Sequence, residues 1–266
     1  RQGFRLNGQT VKLKGGCIHH GNGPLGACAF NRAEERKIEL HKAAGFNAIR
    51  SAHNPPSVAL LDACDRLGLL VIDENFDCWR SGKQPHDYHQ HFEDRWREDT
   101  ASMVLRDRNH PCVIMYSIGN EIIERGGNSQ GGIWARRLAG FVRSLDDTRA
   151  ITSALNGTND LNGPVVNAER GIEVDTIEGP GDDDFARKNT GMSSAPVWGD
   201  DTEEYTAALD VVGYNYLSNR YKMDGILFPN RVIYGSETYA KTIDRNWDRV
   251  ERLPHVIGDF TWTSWD

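Results

Sequence analysis

Short apolar runs that stop abruptly at polar residues constrain the fold of this chain more than any other feature. The clearest run covers 113–118 and ends at Asn120 and Glu121. It is apolar on both faces, which is typical of a strand buried in a parallel sheet. A similar run over 231–236 ends at Glu237. The pattern therefore predicts a parallel sheet that carries carboxylates at the carboxyl ends of its strands.

Runs of this kind alternate with helical patterns along the chain. Strands are predicted at about 11–18, 46–50, 69–74, 113–118, 149–153, 210–216, 231–236 and 255–262. Helices are predicted at about 31–44, 57–67, 93–108, 134–145 and 203–209, with Asn31 and Ser57 as N-caps. Eight strands that alternate with helices predict an α/β protein with the (β/α)8 TIM barrel fold. An Asn7-Gly8 pair predicts a small hairpin before the first barrel strand.

The length of 266 residues fits one such barrel, since barrels of roughly 250 residues form single domains. We expect residues 1–266 to be a single barrel excised from a longer chain, because the sequence opens without Met and stops as its last strand ends. A stretch at about 156–201 is rich in Gly, Asp, Asn and Pro. It predicts a long irregular insertion that is functional or mobile.

Composition excludes several classes of partner and site. The net charge of −7 argues against binding to nucleic acid or to an anionic membrane. No apolar run approaches the length of a membrane span. The five cysteines are odd in number and no two are spaced Cys-x-x-Cys, so neither a disulfide framework nor a structural zinc site is expected. The compartment stays open between the cytoplasm and the periplasm of a bacterium.

Polar and aromatic residues recur at the predicted strand ends. They are His19, His20, Arg50, His53, Asn54, Glu74, Asp77, Asn120, Glu121, Asn215, Tyr216, Glu237 and Trp262. The carboxyl ends of barrel strands meet on one face, so these side chains are expected to form one pocket. Two carboxylates in such a pocket are the minimum equipment for cleaving a glycosidic bond.

The same residues carry a family resemblance. Segments 117–121, 233–237, 50–55 and 14–20 resemble the catalytic barrel of glycoside hydrolase family 2, and within it the bacterial β-galactosidases. Segments 76–79, 212–216 and 259–262 fit the same subgroup, and the matches run in order from residue 14 to residue 262. The Asn-Glu pair is shared by a wider clan of barrel glycosidases, whereas its combination with the Arg-x-x-His-Asn-Pro loop is more specific.

The resemblance implies a retaining β-glycoside hydrolase, a β-galactosidase that cleaves terminal non-reducing β-galactosides by double displacement. Glu121 would be the acid/base, Glu237 the nucleophile, and Asn120 the partner of the sugar 2-hydroxyl. The other implied contacts are His20, His53 and Asp77 to further sugar hydroxyls, Trp262 as a platform for the sugar, and Tyr216 to the nucleophile. Retention requires carboxyl groups about 5–5.5 Å apart, with the acid protonated while the nucleophile is ionised.

The resemblance also implies partners and cofactors. Family members carry β-sandwich domains before the barrel, so accessory domains are expected in a full-length chain. Large β-galactosidases bind magnesium through a Glu and a His after the third strand, but the loop 75–80 lacks that arrangement. We therefore expect no metal and no cofactor, and a β-linked carbohydrate as the substrate.

Three other interpretations stay open at this point. The first is another family 2 β-glycosidase, such as a β-glucuronidase or a β-mannosidase. The second is a non-catalytic carbohydrate-binding barrel. A metal-dependent hydrolase is disfavoured, because His19 and His20 are adjacent and adjacent residues of a strand point to opposite faces. Hydrolysis of nitrophenyl glycosides would separate an enzyme from a binding protein.

Overall fold

A closed barrel of eight parallel strands forms the centre of the molecule. The computed structural model describes residues 3–126, 130–157 and 196–266. The barrel strands are β3 (Leu13–Ile18), β4 (Ala48–Ser51), β5 (Leu70–Glu74), β6 (Val113–Asn120), β7 (Ala150–Leu155), β8 (Val211–Asn215), β9 (Ile233–Tyr239) and β10 (Val256–Trp265). They follow one another around the barrel in chain order, and β10 pairs with β3 to close it. The predicted (β/α)8 barrel is confirmed.

Helices pack outside the barrel strands. In the described part of the chain they are α1 (Asn31–Ala43), α2 (Val58–Leu67), α3 (His89–Asp107), α4 (Gly131–Leu145), α5 (Pro196–Thr206), α6 (Tyr221–Leu227) and α7 (Ile243–Arg252). The Ser57 side chain accepts a hydrogen bond from the Leu60 backbone N–H, which confirms it as an N-cap. The prediction for Asn31 was wrong, because Phe30 is the N-cap and Asn31 is already helical.

Two shorter features precede and interrupt the barrel. Strands β1 (Arg5–Leu6) and β2 (Gln9–Thr10) form the predicted hairpin, and Asn7 and Gly8 both have positive φ. The predicted irregular stretch at 156–201 lies mostly outside the described residues, which resume at Pro196 with α5. None of the helices described is both long and apolar enough to cross a membrane.

The barrel interior changes from apolar to polar toward the carboxyl ends of the strands. Because side chains two residues apart share a face of a strand, each inward position can be followed along its strand. Ala48, Ile72 and Met115 belong to an apolar cluster inside the barrel. Two residues further on, Arg50, Glu74 and Ser117 are fully buried in a polar layer. This polar layer supports the pocket above it.

Candidate active site

A cavity of about 410 Å³ opens at the carboxyl ends of the strands. Its lining consists of His53, Asp77, Lys83, Asn120, Glu121, Asn156, Gly157, Asn215, Tyr216, Leu217, Glu237, Tyr239 and Trp262. Seven of the eight residues that the sequence nominated are in this set. The eighth, His20, is not, and it lies beside Glu34 and Lys37 on α1, where burial and the Lys37 charge lower its pKa.

Glu237 is held at the cavity floor by the Arg50 guanidinium, beside the His53 ring. It lies on β9 and is 4% exposed. Arg50 Nη1 donates to Glu237 Oε1 over 3.0 Å, and His53 Nε2 lies 3.6 Å from the same oxygen. Burial raises the pKa of Glu237, the charges of Arg50 and His53 oppose that rise, and the charge of Glu121 adds to it. Glu121 and Glu237 line the same cavity, close enough for the charge of one to affect the other.

Arg50 connects this carboxylate to the polar layer below. Its Nε and Nη2 donate to the two oxygens of Glu74 over 3.0 and 2.8 Å, a bidentate arrangement. Burial would raise the pKa of Glu74, but the Arg50 charge and hydrogen bonds from His53 and Ser117 lower it to about 2. Glu74 is therefore an anion at neutral pH, and it fixes the orientation of Arg50.

Asn120 and Glu121 are placed by the end of β6. Asn120 is the last residue of the strand, and Glu121 follows with φ of 45°, a conformation that a residue with a Cβ adopts only when its surroundings hold it there. The Glu121 backbone N–H donates to the Ala154 carbonyl over 2.7 Å. Asn215 Nδ2 lies within hydrogen-bonding distance of both side chains, 3.0 Å from Asn120 Oδ1 and 3.1 Å from Glu121 Oε1.

Tyr216 occupies the corresponding position after β8. Its φ is also positive, at 58°, and its backbone N–H donates to the Glu237 carbonyl over 2.8 Å. Burial, the Glu237 charge and a hydrogen bond to the Glu237 carboxylate all raise the pKa of the Tyr216 hydroxyl. The hydroxyl therefore stays protonated and can donate to Glu237.

An aromatic wall closes one side of the cavity. The Trp262 and His53 rings stack with centroids 5.2 Å apart and planes within 10°. His19 packs edge-on against Trp262 at 4.8 Å. Of the two adjacent histidines, His19 is thus the one beside the cavity wall.

Sequence reasoning gave no role to several residues that shape the site. Arg50, Glu74 and Asn215 were expected in the pocket as strand-end residues, but the sequence assigned none of them an individual function. Lys83 lies in the long loop between β5 and α3, and Arg125 follows β6. The Arg125 side chain donates to the carbonyls of Asn156 and Gly157. No periodic pattern marks either of these two cations.

Outside the cavity, one group of side chains in the described segments has metal-ligating chemistry. Asp65, His110 and Cys112 bring one possible ligand atom each within 4.8 Å of the others. The group lies at the amino end of β6, away from the cavity. Asp65 already accepts hydrogen bonds from His110 Nδ1 and the Cys112 backbone N–H, so a role in fixing this turn accounts for it.

Known proteins with similar sequences are glycosidases. A β-galactosidase of Bacteroides ovatus, BoGH2A, is 40% identical over 192 residues, which cover 61% of this chain and 23% of that protein. A putative β-glucuronidase of Formosa agariphila is 39% identical over 160 residues, which cover 60% of this chain and 15% of that protein. The chain thus spans less than a quarter of the length of these curated relatives.

Solved structures of glycosidases are also similar to this chain. A glycosyl hydrolase family 2 member from Bacteroides cellulosilyticus matches with a TM-score of 0.81 and 49% identity, over 99% of this chain and 29% of that one. A β-glycosidase from Bacteroides vulgatus matches with a TM-score of 0.69 over 99% of this chain and 35% of that one. Its identity is 23%, so this second likeness shows the fold alone.

The family itself is identified by a model that covers most of the sequence. Residues 1–177 match the description "Glycosyl hydrolases family 2, TIM barrel domain". That range includes the end of β6 with Asn120 and Glu121, and the match agrees with the closed eight-stranded barrel. The chain belongs to glycosyl hydrolase family 2 and forms its TIM barrel domain.

Proposed function

We propose that this barrel is the catalytic domain of a retaining β-glycoside hydrolase that removes terminal β-galactosyl residues. The observation that carries the proposal is the placement of Glu121 and Glu237 in one cavity with different partners. Glu237 is buried against Arg50, whereas Glu121 has the neutral amide of Asn215 as its partner. Different surroundings allow two carboxyl groups to take different roles in one reaction.

In the first step, Glu237 attacks the anomeric carbon while Glu121 gives its proton to the departing oxygen. Arg50 donates to Glu237 Oε1 and so stabilises the ionised form that attacks. In the second step Glu121, now ionised, takes a proton from water, and the water oxygen displaces Glu237 from the sugar. The two inversions together retain the configuration. A carboxyl separation of about 5–5.5 Å, expected for this mechanism, stays a prediction.

Asn120 has an orientation that suits the sugar 2-hydroxyl. Its Oδ1 accepts from Arg50 Nη2 over 2.9 Å and from Asn215 Nδ2 over 3.0 Å. Two donors on one atom identify it as the oxygen, so the amino group faces the cavity. One of its hydrogens is directed to Asp77 Oδ1 over 2.8 Å. The other points toward His53 Nε2, 3.4 Å away, a long contact that a substrate hydroxyl can replace. A hydrogen bond from this amino group to the 2-hydroxyl strengthens in the transition state.

A neutral sugar is favoured by the charges around the described part of the cavity. Arg50 is paired with Glu74 and Glu237, and Lys83 is paired with Asp77. Arg125, close by, binds backbone carbonyls. Arg50 and Lys83 are already paired with carboxylates, so a uronate carboxylate placed beside either of them would add an uncompensated negative charge, which costs free energy. This supports a galactoside over a glucuronide, a choice that the two relatives leave open because one is named a β-galactosidase and the other a putative β-glucuronidase.

A panel of nitrophenyl β-glycosides tests the proposal. The purified protein should hydrolyse the β-galactoside faster than the β-glucuronide and the β-mannoside, and proton NMR should show the β-anomer of galactose released first. Glu237→Gln should abolish turnover, while Glu98→Gln, a substitution at an exposed ion pair on α3, should leave it unchanged. Hydrolysis at equal rates by wild type and Glu237→Gln would refute the mechanism, and no hydrolysis of any glycoside would favour a binding protein.

A further inference from the structure

Lys83 brings a cation into the cavity, and the proposed mechanism gives it no role. Its Nζ donates to Asp77 Oδ1 over 2.6 Å and to the Asn120 backbone carbonyl over 3.0 Å. The side chain is 24% exposed and lines the cavity. An ammonium group has three donors. Lys83 therefore has a third N–H in addition to these two bonds.

The position of Asp77 relative to Asn120 identifies the part of the sugar that this pair faces. Under the proposed function, the Asn120 amino group binds the 2-hydroxyl, and Asp77 Oδ1 lies 2.8 Å from that amino group. The ring neighbours of carbon 2 are carbon 1 and carbon 3. In the proposed mechanism carbon 1 lies between Glu121 and Glu237, so the 3-hydroxyl is the neighbouring hydroxyl that can reach Asp77 and Lys83.

We propose that Lys83 is a substrate-binding residue that, together with Asp77, recognises the 3-hydroxyl of the sugar. The inference rests on the proposed function and names a residue that determines specificity within that site. Asp77 accepts the hydroxyl proton, and Lys83 donates to the hydroxyl oxygen. The ion pair thus offers an acceptor and a donor side by side, which matches a hydroxyl group and does not match an anionic substituent.

Lys83 also contacts Asn120, so a direct role must be separated from an indirect one. Its bond to the Asn120 carbonyl could act on the 2-hydroxyl by holding Asn120 in place. A direct role makes the effect of a Lys83 substitution depend on the 3-hydroxyl. An indirect role makes it depend on the 2-hydroxyl. Substrates that lack one hydroxyl distinguish the direct from the indirect role. The Lys83 substitution and the missing hydroxyl then act as the two changes of a double-mutant cycle.

The experiment measures kcat/KM of wild type, Lys83→Met and Lys83→Arg on nitrophenyl β-galactoside and on its 2-deoxy and 3-deoxy analogues. For Lys83→Met, kcat/KM on the parent sugar should fall on the order of ten- to a hundred-fold, as expected for the loss of a hydrogen bond from a charged group. On the 3-deoxy sugar, kcat/KM of Lys83→Met should be less than about threefold below that of wild type. On the 2-deoxy sugar the difference from wild type should be as large as on the parent sugar. Lys83→Arg keeps the charge and donors and should recover part of the activity.

Lys42→Met is the matched control, since Lys42 is exposed on α1 and its amine reaches the Gly68 carbonyl. It should match wild type on all three sugars, and thermal melting should show that each variant is folded. Equal losses for Lys83→Met on all three sugars, or a loss that disappears only on the 2-deoxy sugar, would overturn the inference while leaving the proposed function standing. If the wild-type protein hydrolyses none of the sugars, both the proposed function and this inference are wrong.

Discussion

Arg50 Nη1 lies 3.0 Å from Oε1 of Glu237, and neither side chain is more than 6% exposed. The same guanidinium is bound on its other edge by both oxygens of Glu74. Buried ion pairs of this kind are strongly destabilised when one partner is removed, because the other charge is left without compensation. Arg50 therefore sets both the ionisation of Glu237 and the stability of the polar layer.

Arg50→Met should raise the pKa of Glu237, because the Arg50 charge opposes the effect of burial on that carboxyl. The nucleophile must be ionised, so the acidic limb of the profile of kcat/KM against pH should move to higher pH. The free energy of unfolding should fall by about 3–5 kcal/mol. Stopped assays across pH and urea unfolding measure the two effects. Arg32→Met, at an exposed ion pair on α1, should change neither, and an unmoved acidic limb in Arg50→Met would show that Arg50 acts only in folding.

Glu74 should make stability depend on pH in the acid range. Its folded pKa of about 2 lies below its ordinary value. The stabilisation is therefore fully present above the unfolded pKa of about 4.3 and is lost as pH falls toward 2. The loss should be about 3 kcal/mol, as read from urea unfolding at several pH values.

Glu74→Gln removes this ionisation and should be less stable than wild type at pH 7. Its free energy of unfolding should also change less between pH 4.5 and 2. Glu93→Gln, at an exposed pair with Arg80, should follow the wild-type slope. A wild-type slope in Glu74→Gln would assign the acid sensitivity to other carboxylates.

Asn120→Ala should slow hydrolysis through the 2-hydroxyl. Arg50, Asn215 and Asp77 fix the Asn120 amide, and its second N–H makes only a long contact of 3.4 Å to His53 Nε2, which the substrate can replace. The loss of kcat/KM on the galactoside should be on the order of a hundred-fold, and on the 2-deoxy galactoside no more than about threefold. Equal losses on both sugars would mean that Asn120 serves packing and leaves the 2-hydroxyl untouched.

The barrel was predictable because its signal is local and repeated. Each strand is a short apolar run, and eight such runs interleaved with helical patterns leave few other folds. Strand ends were less accurate. The prediction stopped β6 at Ile118, whereas the strand continues through Gly119 and Asn120. The strand ends in Gly119 and Asn120, which lie beside the pocket and are not apolar. A prediction based on apolar runs therefore ends the strand too early.

The site was predictable where strand ends supply it. His20 shows the limit of that rule, because the side chains of neighbouring residues diverge at the end of β3 and only His19 reaches the aromatic wall. Lys83 shows another limit. It comes from a loop without periodicity, and only the folded chain brings its amine to Asp77. Burial of Arg50 and Glu74 likewise follows from barrel closure, which no segment of sequence contains.

The effect of Glu121→Ala should depend on the leaving group of the substrate, and this dependence identifies Glu121 as the acid. A dinitrophenolate needs little protonation, so the variant should keep much of its first step on an activated galactoside and lose that step on a lactose-like substrate. The second step should still be slow, because the base that deprotonates water is gone. Burst kinetics with dinitrophenyl β-galactoside measures both steps in one experiment.

Azide then tests the stereochemistry that the two roles require. It needs no base, so with Glu121→Ala it should attack the galactosyl-enzyme, restore turnover and give the β-galactosyl azide through two inversions. With Glu237→Ala it should attack the substrate directly and give the α-azide through a single inversion. Glu98→Gln should form no azide adduct above the wild-type amount, since its carboxylate lies on the outer surface of α3. The same anomer from both alanine variants would refute the assignment of Glu121 and Glu237 and the retaining mechanism with it.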